Sequence, residues 1–192
     1  MAAAVRYAQE QGFQRVLILD WDIHHGDGTQ AIFANDQNVH QISIHSGIDF
    51  YMMKASKLAE GNVEGGRAVG HRNIPVIHKV FDDAFAQEVG FRSGLWRSDD
   101  CLARLELTLA DLPFAPQIIF IMAGADGHIE DCGRDVTNWD YEDFKRLTRL
   151  TLAAAARANC PVLSVQGGGY NLPVTVATTV AHVNELFSPG SI

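Results

Sequence analysis

The sequence lacks the features that mark several large classes of protein. It has three cysteines in 192 residues and no C-x-x-C pair, so neither a disulfide framework nor a thiolate zinc site is expected. It has no run rich in Lys or Arg and a formal net charge of −8, which argues against direct binding to nucleic acid or to an anionic membrane. No apolar stretch approaches the ~20 residues of a spanning helix, and the first residues do not form a secretory signal. We therefore expect a cytoplasmic protein whose acidic surface suits a cationic substrate.

The hydrophobic content of 47% and the length predict a folded chain, with residues 1–192 as a single, partial domain. Apolar runs typical of buried strands alternate with segments of helical periodicity. Strands are predicted at 15–20, 39–45, 74–77, 117–122 and 161–166, and helices at 2–11, 29–34, 81–110 (one helix or two), 139–158 and 173–187. Residues 46–73 are predicted to form a long loop. This alternation predicts an α/β fold of three layers, α/β/α, with a mostly parallel sheet.

Polar residues follow four of the predicted strands, at the point where each strand ends. The segments are DWDIHHGDG after 15–20, HS after 39–45, AGADGH after 117–122 and GGGYN after 161–166. Ligands of open parallel sheets bind beyond the carboxyl ends of the strands. The four segments are therefore expected to converge on one crevice.

The first of these segments carries a candidate metal site. Asp20, Asp22 and His24 alternate along the chain, so they would point the same way from an extended backbone. Asp22 and His24 offer oxygen and nitrogen ligands, and Asp126 from another strand end would complete a set of three with open positions, as in catalytic zinc sites. The same mixed set also suits iron, cobalt or manganese. Taken alone, the segment is equally consistent with a hydrated turn.

The glycine run that precedes Tyr170 is the second candidate. Its phenol could donate a hydrogen bond to a carbonyl oxygen as negative charge develops there. It could equally be a core tyrosine with a satisfied hydroxyl. A nucleotide site is weakly supported, since the run lacks the G-x-G-x-x-G pattern and a following Lys-Ser/Thr.

The motifs DWDIHHGDGTQ, ISIH, AGAD and GGGYN, in this order, resemble the zinc-dependent histone deacetylase family, including its bacterial amidohydrolase members. The resemblance implies an arginase/deacetylase-like fold, truncated at the N-terminus. It implies that Asp22, His24 and Asp126 bind Zn²⁺ and that Tyr170 polarises the acyl carbonyl beside the metal. It also implies a second, potassium-like cation, whose expected ligands are Asp20, Asp22, His24, Ser43 and Ile44.

The resemblance further implies a general-base pair of histidines upstream, each oriented by a carboxylate, which here would be Asp20 and Asp27. No histidine precedes His24. We therefore interpret the chain as the C-terminal part of a deacetylase domain and expect weak or no turnover. A truncated sheet would expose an edge and an apolar face, so we also expect self-association, most simply as a two-fold dimer.

The expected substrate is an N-acylated amine such as acetyl-lysine. Gly168 and Gly169 are expected to line its site, and Phe50 and Tyr51 could either line an apolar channel or pack on the core. Two other interpretations remain open. One is a non-catalytic, metal-binding or oligomerising remnant, and the other is an arginase-like ureohydrolase with two manganese ions.

Overall fold

The computed structural model describes residues 1–47, 71–77, 96–134 and 136–188. Its strands are β1 (Val16–Asp20), β2 (Val39–Ser46), β3 (His71–Ile77), β4 (Trp96–Arg97), β5 (Ile118–Ala123) and β6 (Val162–Gln166). Its helices are α1 (Ala2–Glu10), α2 (Asp27–Phe33), α3 (Ser98–Ala110), α4 (Tyr141–Ala158) and α5 (Leu172–Leu186). Strands and helices alternate through most of this order, as the sequence predicts.

The six strands form one sheet in the order β4-β3-β2-β1-β5-β6, and every neighbouring pair is parallel. The register places Asp20 of β1 beside Ser43 of β2 and beside Met122 of β5. Because β1 is central, its carboxyl end lies between those of β2 and β5. The predicted α/β fold with a parallel sheet is confirmed.

Both faces of the central strands are covered, which explains why these strands are continuous apolar runs rather than alternating ones. Leu17 and Leu19 of β1 pack in a cluster with residues of α3 and α4. Val16 and Ile18, which point the other way, pack with Val5 of α1 and with other residues of that face. The sheet is therefore the middle of three layers.

Local sequence signals explain where two of the helices stop or start. Helix α1 ends before Gly12, whose φ of +100° is a backbone conformation that glycine adopts without strain. Helix α4 begins at a capping box, in which the Asp140 side chain accepts backbone N–H groups of the first turn and Asp143 accepts the N–H of Asp140. The acidic first turn indicated a helix start in this region. The helix begins two residues later than the boundary expected from the sequence.

Two departures from the sequence prediction concern the same edge of the sheet. Strand β3 begins at His71, so residues 71–73 belong to a strand and not to the predicted loop. The two-residue strand β4, which precedes α3, was not predicted. Ser46, also predicted as loop, is the last residue of β2, whereas residues 48–70 of the predicted loop and residues 81–95 of the predicted helical segment lie outside the described residues.

Candidate metal centre

Asp22 and His24 lie in the loop that directly follows β1. The Nδ1 atom of His24 lies 3.0 Å from Oδ1 of Asp22, which also accepts the backbone N–H of His24 at 2.9 Å. The other oxygen of Asp22, Oδ2, accepts the backbone N–H of Gly168 at 2.7 Å. The loop after β6 thus fixes the orientation of a carboxylate that comes from the loop after β1.

Asp126 lies beyond β5 and its side chain is fully buried. Its Oδ1 accepts the backbone N–H of Ile23 at 3.0 Å. Its Oδ2 lies 3.1 Å from Nδ1 of His24, and no other group among the described residues gives it a hydrogen bond of good geometry. A buried carboxylate oxygen without such a partner is costly, so its surroundings favour a cation at this point.

The three side chains meet at one point, which we call the metal cluster: Asp22, His24 and Asp126. Their ligand atoms all lie within 4.8 Å of one another. The single Nδ1 of His24 faces one oxygen of each carboxylate, and one ring hydrogen cannot serve both well, whereas a metal ion could contact all three atoms. Two carboxylates offset the charge of a divalent ion, and the oxygen–nitrogen set is one that Zn²⁺ takes.

Glycines let the backbone approach this cluster closely. A Cβ on Gly168 would lie 2.2 Å from Oδ2 of Asp126 and 2.7 Å from Oδ2 of Asp22. A Cβ on Gly124 would lie 2.5 Å from the Cα of Asp22. Gly169 has a φ of +153°, and a Cβ there would lie 2.5 Å from the Thr175 hydroxyl oxygen. The glycines are therefore needed so that the loops after β5 and β6 can pack against the cluster.

The charges of the cluster are strongly coupled. The close contact with Asp126, and then the contact with Asp22, raises the pKa of His24 to about 10. Burial opposes the ionisation of Asp22, but the hydrogen bonds from His24 and Gly168 outweigh it and its pKa is lowered. Burial raises the pKa of Asp126 despite its contact with His24. In the absence of a metal, a proton on His24 thus compensates the two acids.

Tyr170 lies beside the cluster with an exposed side chain. Its ring is nearly perpendicular to that of His24, at 85°, with the ring centroids 6.2 Å apart. Desolvation, followed by the negative charges of Asp126 and Asp22, raises its pKa above the usual value for a phenol. The hydroxyl therefore keeps its proton at neutral pH and can donate a hydrogen bond next to the cluster.

Asp131 holds the backbone that carries Tyr170. One oxygen of Asp131, Oδ2, accepts the N–H groups of both Tyr170 and Asn171 at 2.8 Å, and the Asn171 side chain donates back to the Glu130 carbonyl at 2.9 Å. These bonds lower the pKa of Asp131 against the opposing effect of burial. The sequence marks Asp131, an acid five residues after Asp126, as a candidate for a further role in the site but does not indicate which role.

The structure places the remaining predicted site residues in different surroundings. Asp20 is buried directly behind the cluster, and its Oδ1 accepts the N–H of Asp22 at 3.1 Å. Burial, and then the charge of Asp22, raises its pKa to about 8. Ser43 and Ile44 are buried on the neighbouring strand β2, and the Ser43 hydroxyl contacts Nδ1 of His45 at 2.9 Å.

Asp27 is exposed at the start of α2, where its Oδ1 accepts the N–H of Gly28 at 2.7 Å. Phe50 and Tyr51, predicted to lie near the substrate, fall outside the described residues. The structure thus brings together six of the predicted residues around one point: Asp20, Asp22, His24, Asp126, Gly168 and Tyr170.

Comparison with known proteins decides the family. Residues 1–186 match the histone deacetylase domain. The chain belongs to the histone deacetylase family. The resemblance seen in the sequence motifs is therefore confirmed over nearly the whole length of the chain.

Proteins similar to this deacetylase-family chain occur in bacteria and archaea, and one of those described next is a solved structure. It is 31% identical over 179 residues to a probable deacetylase of Archaeoglobus fulgidus, covering 90% of this chain and 43% of the relative. It is 29% identical over 189 residues to the histone deacetylase-like amidohydrolase of Pseudomonas aeruginosa, covering 97% and 45%. The crystal structure of acetylpolyamine aminohydrolase from Burkholderia pseudomallei superposes with a TM-score of 0.65 at 27% identity, covering 96% and 48%.

The deacetylase-family chain thus spans a little less than half the length of each of these relatives. The superposition confirms the deacetylase-like fold for the part that is shared. Across the ranges that the structure describes, no helix has the length and apolar character needed to cross a lipid bilayer.

Proposed function

We propose that this chain carries the metal-binding and oxyanion-stabilising part of a zinc-dependent amide hydrolase that acts on N-acylated amines such as acetyl-lysine. The observation that supports this most directly is the metal cluster, in which one imidazole nitrogen faces two carboxylate oxygens from separate strand ends. The net charge of −8 suits a substrate that carries positive charge on groups other than the acylated nitrogen.

Asp22, His24 and Asp126 would hold the ion, since their ligand atoms are already close together. A bound Zn²⁺ would supply Lewis acidity toward an acyl carbonyl oxygen and toward water. Tyr170 would donate its phenol hydrogen to the same carbonyl oxygen, where the negative charge of the transition state develops. Asp131 keeps the Tyr170 backbone in place, and Gly168 allows the backbone to lie against both carboxylates.

We propose weak turnover for this chain by itself. Hydrolysis also needs a group that takes a proton from water and one that protonates the leaving amine. In this proposal His24 is a ligand and is not available as a base. Nε2 of His25, the next residue, already contacts Gln30 at 2.9 Å, and its ring packs against that of His45.

We also propose a monovalent, potassium-like cation behind the zinc site, with Asp20, Asp22, His24, Ser43 and Ile44 as the surrounding residues. Support comes from Asp20, since burial, and then the charge of Asp22, raises the pKa of its carboxyl group to about 8, and a cation there would favour the ionised form. Its neighbour in the register is Ser43. We expect K⁺ to raise the midpoint of thermal unfolding more than the larger tetramethylammonium ion does at equal ionic strength.

Zinc binding and hydrolysis of an acetyl-lysine peptide test the main proposal together. We expect one Zn²⁺ per chain for the wild type and for Tyr170→Phe, and at least about 100-fold weaker binding for Asp126→Asn. Asp111→Asn, which changes an exposed acid away from the cluster, is the matched control and should bind like the wild type. Unchanged zinc affinity in Asp126→Asn would refute the assigned ligand set.

The measured turnover separates the remaining interpretations. Residual hydrolysis that falls at least about tenfold in Tyr170→Phe, with zinc retained, supports an enzyme that uses the phenol as an oxyanion donor. One zinc without hydrolysis favours a non-catalytic, metal-binding remnant. Two manganese ions per chain would favour the ureohydrolase, although the described residues contain a single group of three close ligands.

A further inference from the structure

The loop after β6 is tied to the rest of the site at two points, one on either side of Gly169. At the first point, Gly168 donates its backbone N–H to Oδ2 of Asp22, and its carbonyl accepts the N–H of Ala125, both at 2.7 Å. Gly169 follows with a φ of +153°, a conformation that residues with a side chain rarely adopt. Because glycine also has no side chain to pack, the first anchor does not by itself fix the position of Tyr170.

Asp131 supplies the second anchor. Its Oδ2 accepts the backbone N–H groups of Tyr170 and Asn171, and its Oδ1 accepts that of Cys132, all at 2.8 Å. Hydrogen bonds to an ionised carboxylate are about twice as strong as those between neutral groups. The Tyr170 side chain is 69% exposed, so packing contributes little to holding it. The carboxylate of Asp131 is therefore the main restraint on this residue.

Asn171 joins the same two loops from the other side. It occupies the N-cap position of α5, where an Asn side chain usually accepts N–H groups of the first turn, yet it makes no such bond. Instead, its side-chain amide donates to the Glu130 carbonyl at 2.9 Å. Pro173, the second helical residue, has no N–H to be capped. The N-cap side chain is thus used to bind the loop after β5.

The loop that carries Asp131 is itself held in place. The Asp131 N–H donates to the His128 carbonyl at 2.9 Å. The His128 ring is buried and packs against the ring of Tyr141 in α4, with the centroids 4.5 Å apart. Asp126, a member of the metal cluster, lies on the same loop, two residues before His128. The loop after β5 therefore connects a proposed metal ligand to the anchor of Tyr170.

We propose that Asp131 is a positioning residue that holds the phenol of Tyr170 beside the metal cluster, and that it acts through Tyr170 alone. The role of the phenol in this inference rests on the proposed function, whereas its location does not. Without the carboxylate, the backbone of residue 170 would turn about Gly169, and the exposed ring would leave His24. Asp131 is not a member of the metal cluster, so its removal should alter turnover and leave metal binding intact.

Ring contacts in NMR spectra of the metal-free chain test the location of the phenol without zinc or hydrolysis. The rings of His24 and Tyr170 lie 6.2 Å apart between centroids, at 85°, so their hydrogens are close enough for nuclear Overhauser effects. We expect these effects in the wild type, their loss in Asp131→Ala, and partial retention in Asp131→Asn, which keeps one acceptor oxygen. Glu130→Gln, at the exposed neighbouring acid, is the matched control for the change in charge and should behave like the wild type. Undiminished effects in Asp131→Ala would overturn the proposal.

Residual hydrolysis of an acetyl-lysine peptide by the zinc-loaded chain tests whether Asp131 acts through the phenol. We expect Asp131→Asn to lower kcat about fivefold, with KM and the zinc affinity each within about twofold of the wild type. In the Tyr170→Phe background, the same substitution should change kcat by less than about twofold, because residues that act as a unit are not additive. An equal loss in both backgrounds would show a merely structural role and overturn the proposal.

The two measurements separate failure of this inference from failure of the proposed function. A wild type without hydrolysis would count against the proposed function, and the ring contacts would then decide the proposal for Asp131 alone. Absence of the ring contacts in the wild type would overturn it. Circular dichroism verifies the fold of each variant. If Asp131→Ala does not fold, Asp131→Asn decides: ring contacts as strong as those of Glu130→Gln overturn the proposal, and weaker ones support it.

Discussion

At the scale of single residues, His24 decides how the site responds to pH. In the metal-free chain, its contacts with Asp126 and Asp22 raise its pKa to about 10, so the ring carries a proton at neutral pH. A metal ion can bind Nδ1 only after that proton has left. The affinity for Zn²⁺ should therefore rise about tenfold per pH unit between pH 6 and 9, with about one proton released per ion.

Calorimetry in two buffers of different ionisation enthalpy measures this proton release directly. His128→Gln is a suitable control, because His128 is buried beyond Asp126 and is not one of the three ligands. It should leave the proton release unchanged. An affinity that stays flat over these three pH units would show that zinc displaces no proton from His24.

The convergence of the three proposed metal ligands was predictable from the sequence, and the groups that orient them were not. Asp22, His24 and Asp126 follow apolar strands, and the carboxyl ends of parallel strands meet at one edge of the sheet. The partners of these ligands are backbone N–H groups, from Ile23 and Gly168, which any sequence would supply. Side-chain identity at the donor residues therefore carries no signal for these hydrogen bonds.

At the scale of elements, the loop after β6 packs against residues that follow two other strands, Asp22 after β1 and Asp126 after β5. Alanine at position 168 would place its Cβ within 2.7 Å of oxygens from both Asp22 and Asp126, so the loop would have to move away from the cluster. We expect Gly168→Ala to weaken Zn²⁺ binding at least about tenfold and to lower the midpoint of thermal unfolding by several degrees. The same movement would displace the backbone N–H of residue 168, which donates a hydrogen bond to Asp22 and orients its carboxylate.

Gly28→Ala is the matched control for this substitution. A Cβ at position 28 would meet nothing within 4 Å, and the residue lies in α2, where alanine is favourable. Its zinc affinity should equal that of the wild type. If Gly168→Ala binds zinc as tightly as Gly28→Ala does, the close packing of this loop has no part in metal binding.

Elements with strong patterns were predicted well, and short or polar ones were not. The capping box at Asp140 and the apolar run of β1 identify their elements because each signal lies within the element itself. Strand β3 opens with His71, Arg72 and Asn73, which look like loop residues and become a strand only by pairing with β2. The two residues of β4 are defined solely by their pairing with β3.

At the scale of the whole molecule, two histidines, His182 and His71, make a contribution to stability that is lost in acid. Burial lowers the pKa of His182 to about 4, while both ring nitrogens contact hydroxyl groups, Thr148 Oγ1 at 2.7 Å and Ser164 Oγ at 2.8 Å. Burial, and then repulsion from His40, similarly lowers the pKa of His71 to about 4. These groups stay neutral in the folded chain over a pH range in which the unfolded chain binds protons.

For His182, the two pKa values set the direction and the size of the change in the free energy of unfolding with pH. The unfolded chain takes up a proton near pH 6.5 and the folded chain only near pH 4, so the free energy of unfolding is unaffected above pH 6.5 and falls as the pH drops toward 4. His182 alone should lower the free energy of unfolding by about 2.5 kcal/mol between pH 7.5 and 4.5.

Urea unfolding measures this contribution. The free energy of unfolding of His182→Asn should change between the two pH values by this amount less than that of the wild type. Ser164→Ala, which keeps the imidazole but removes one of its hydrogen bonds, should lose stability about equally at both pH values. A pH difference in His182→Asn equal to that of the wild type would assign the acid sensitivity to the other buried histidines.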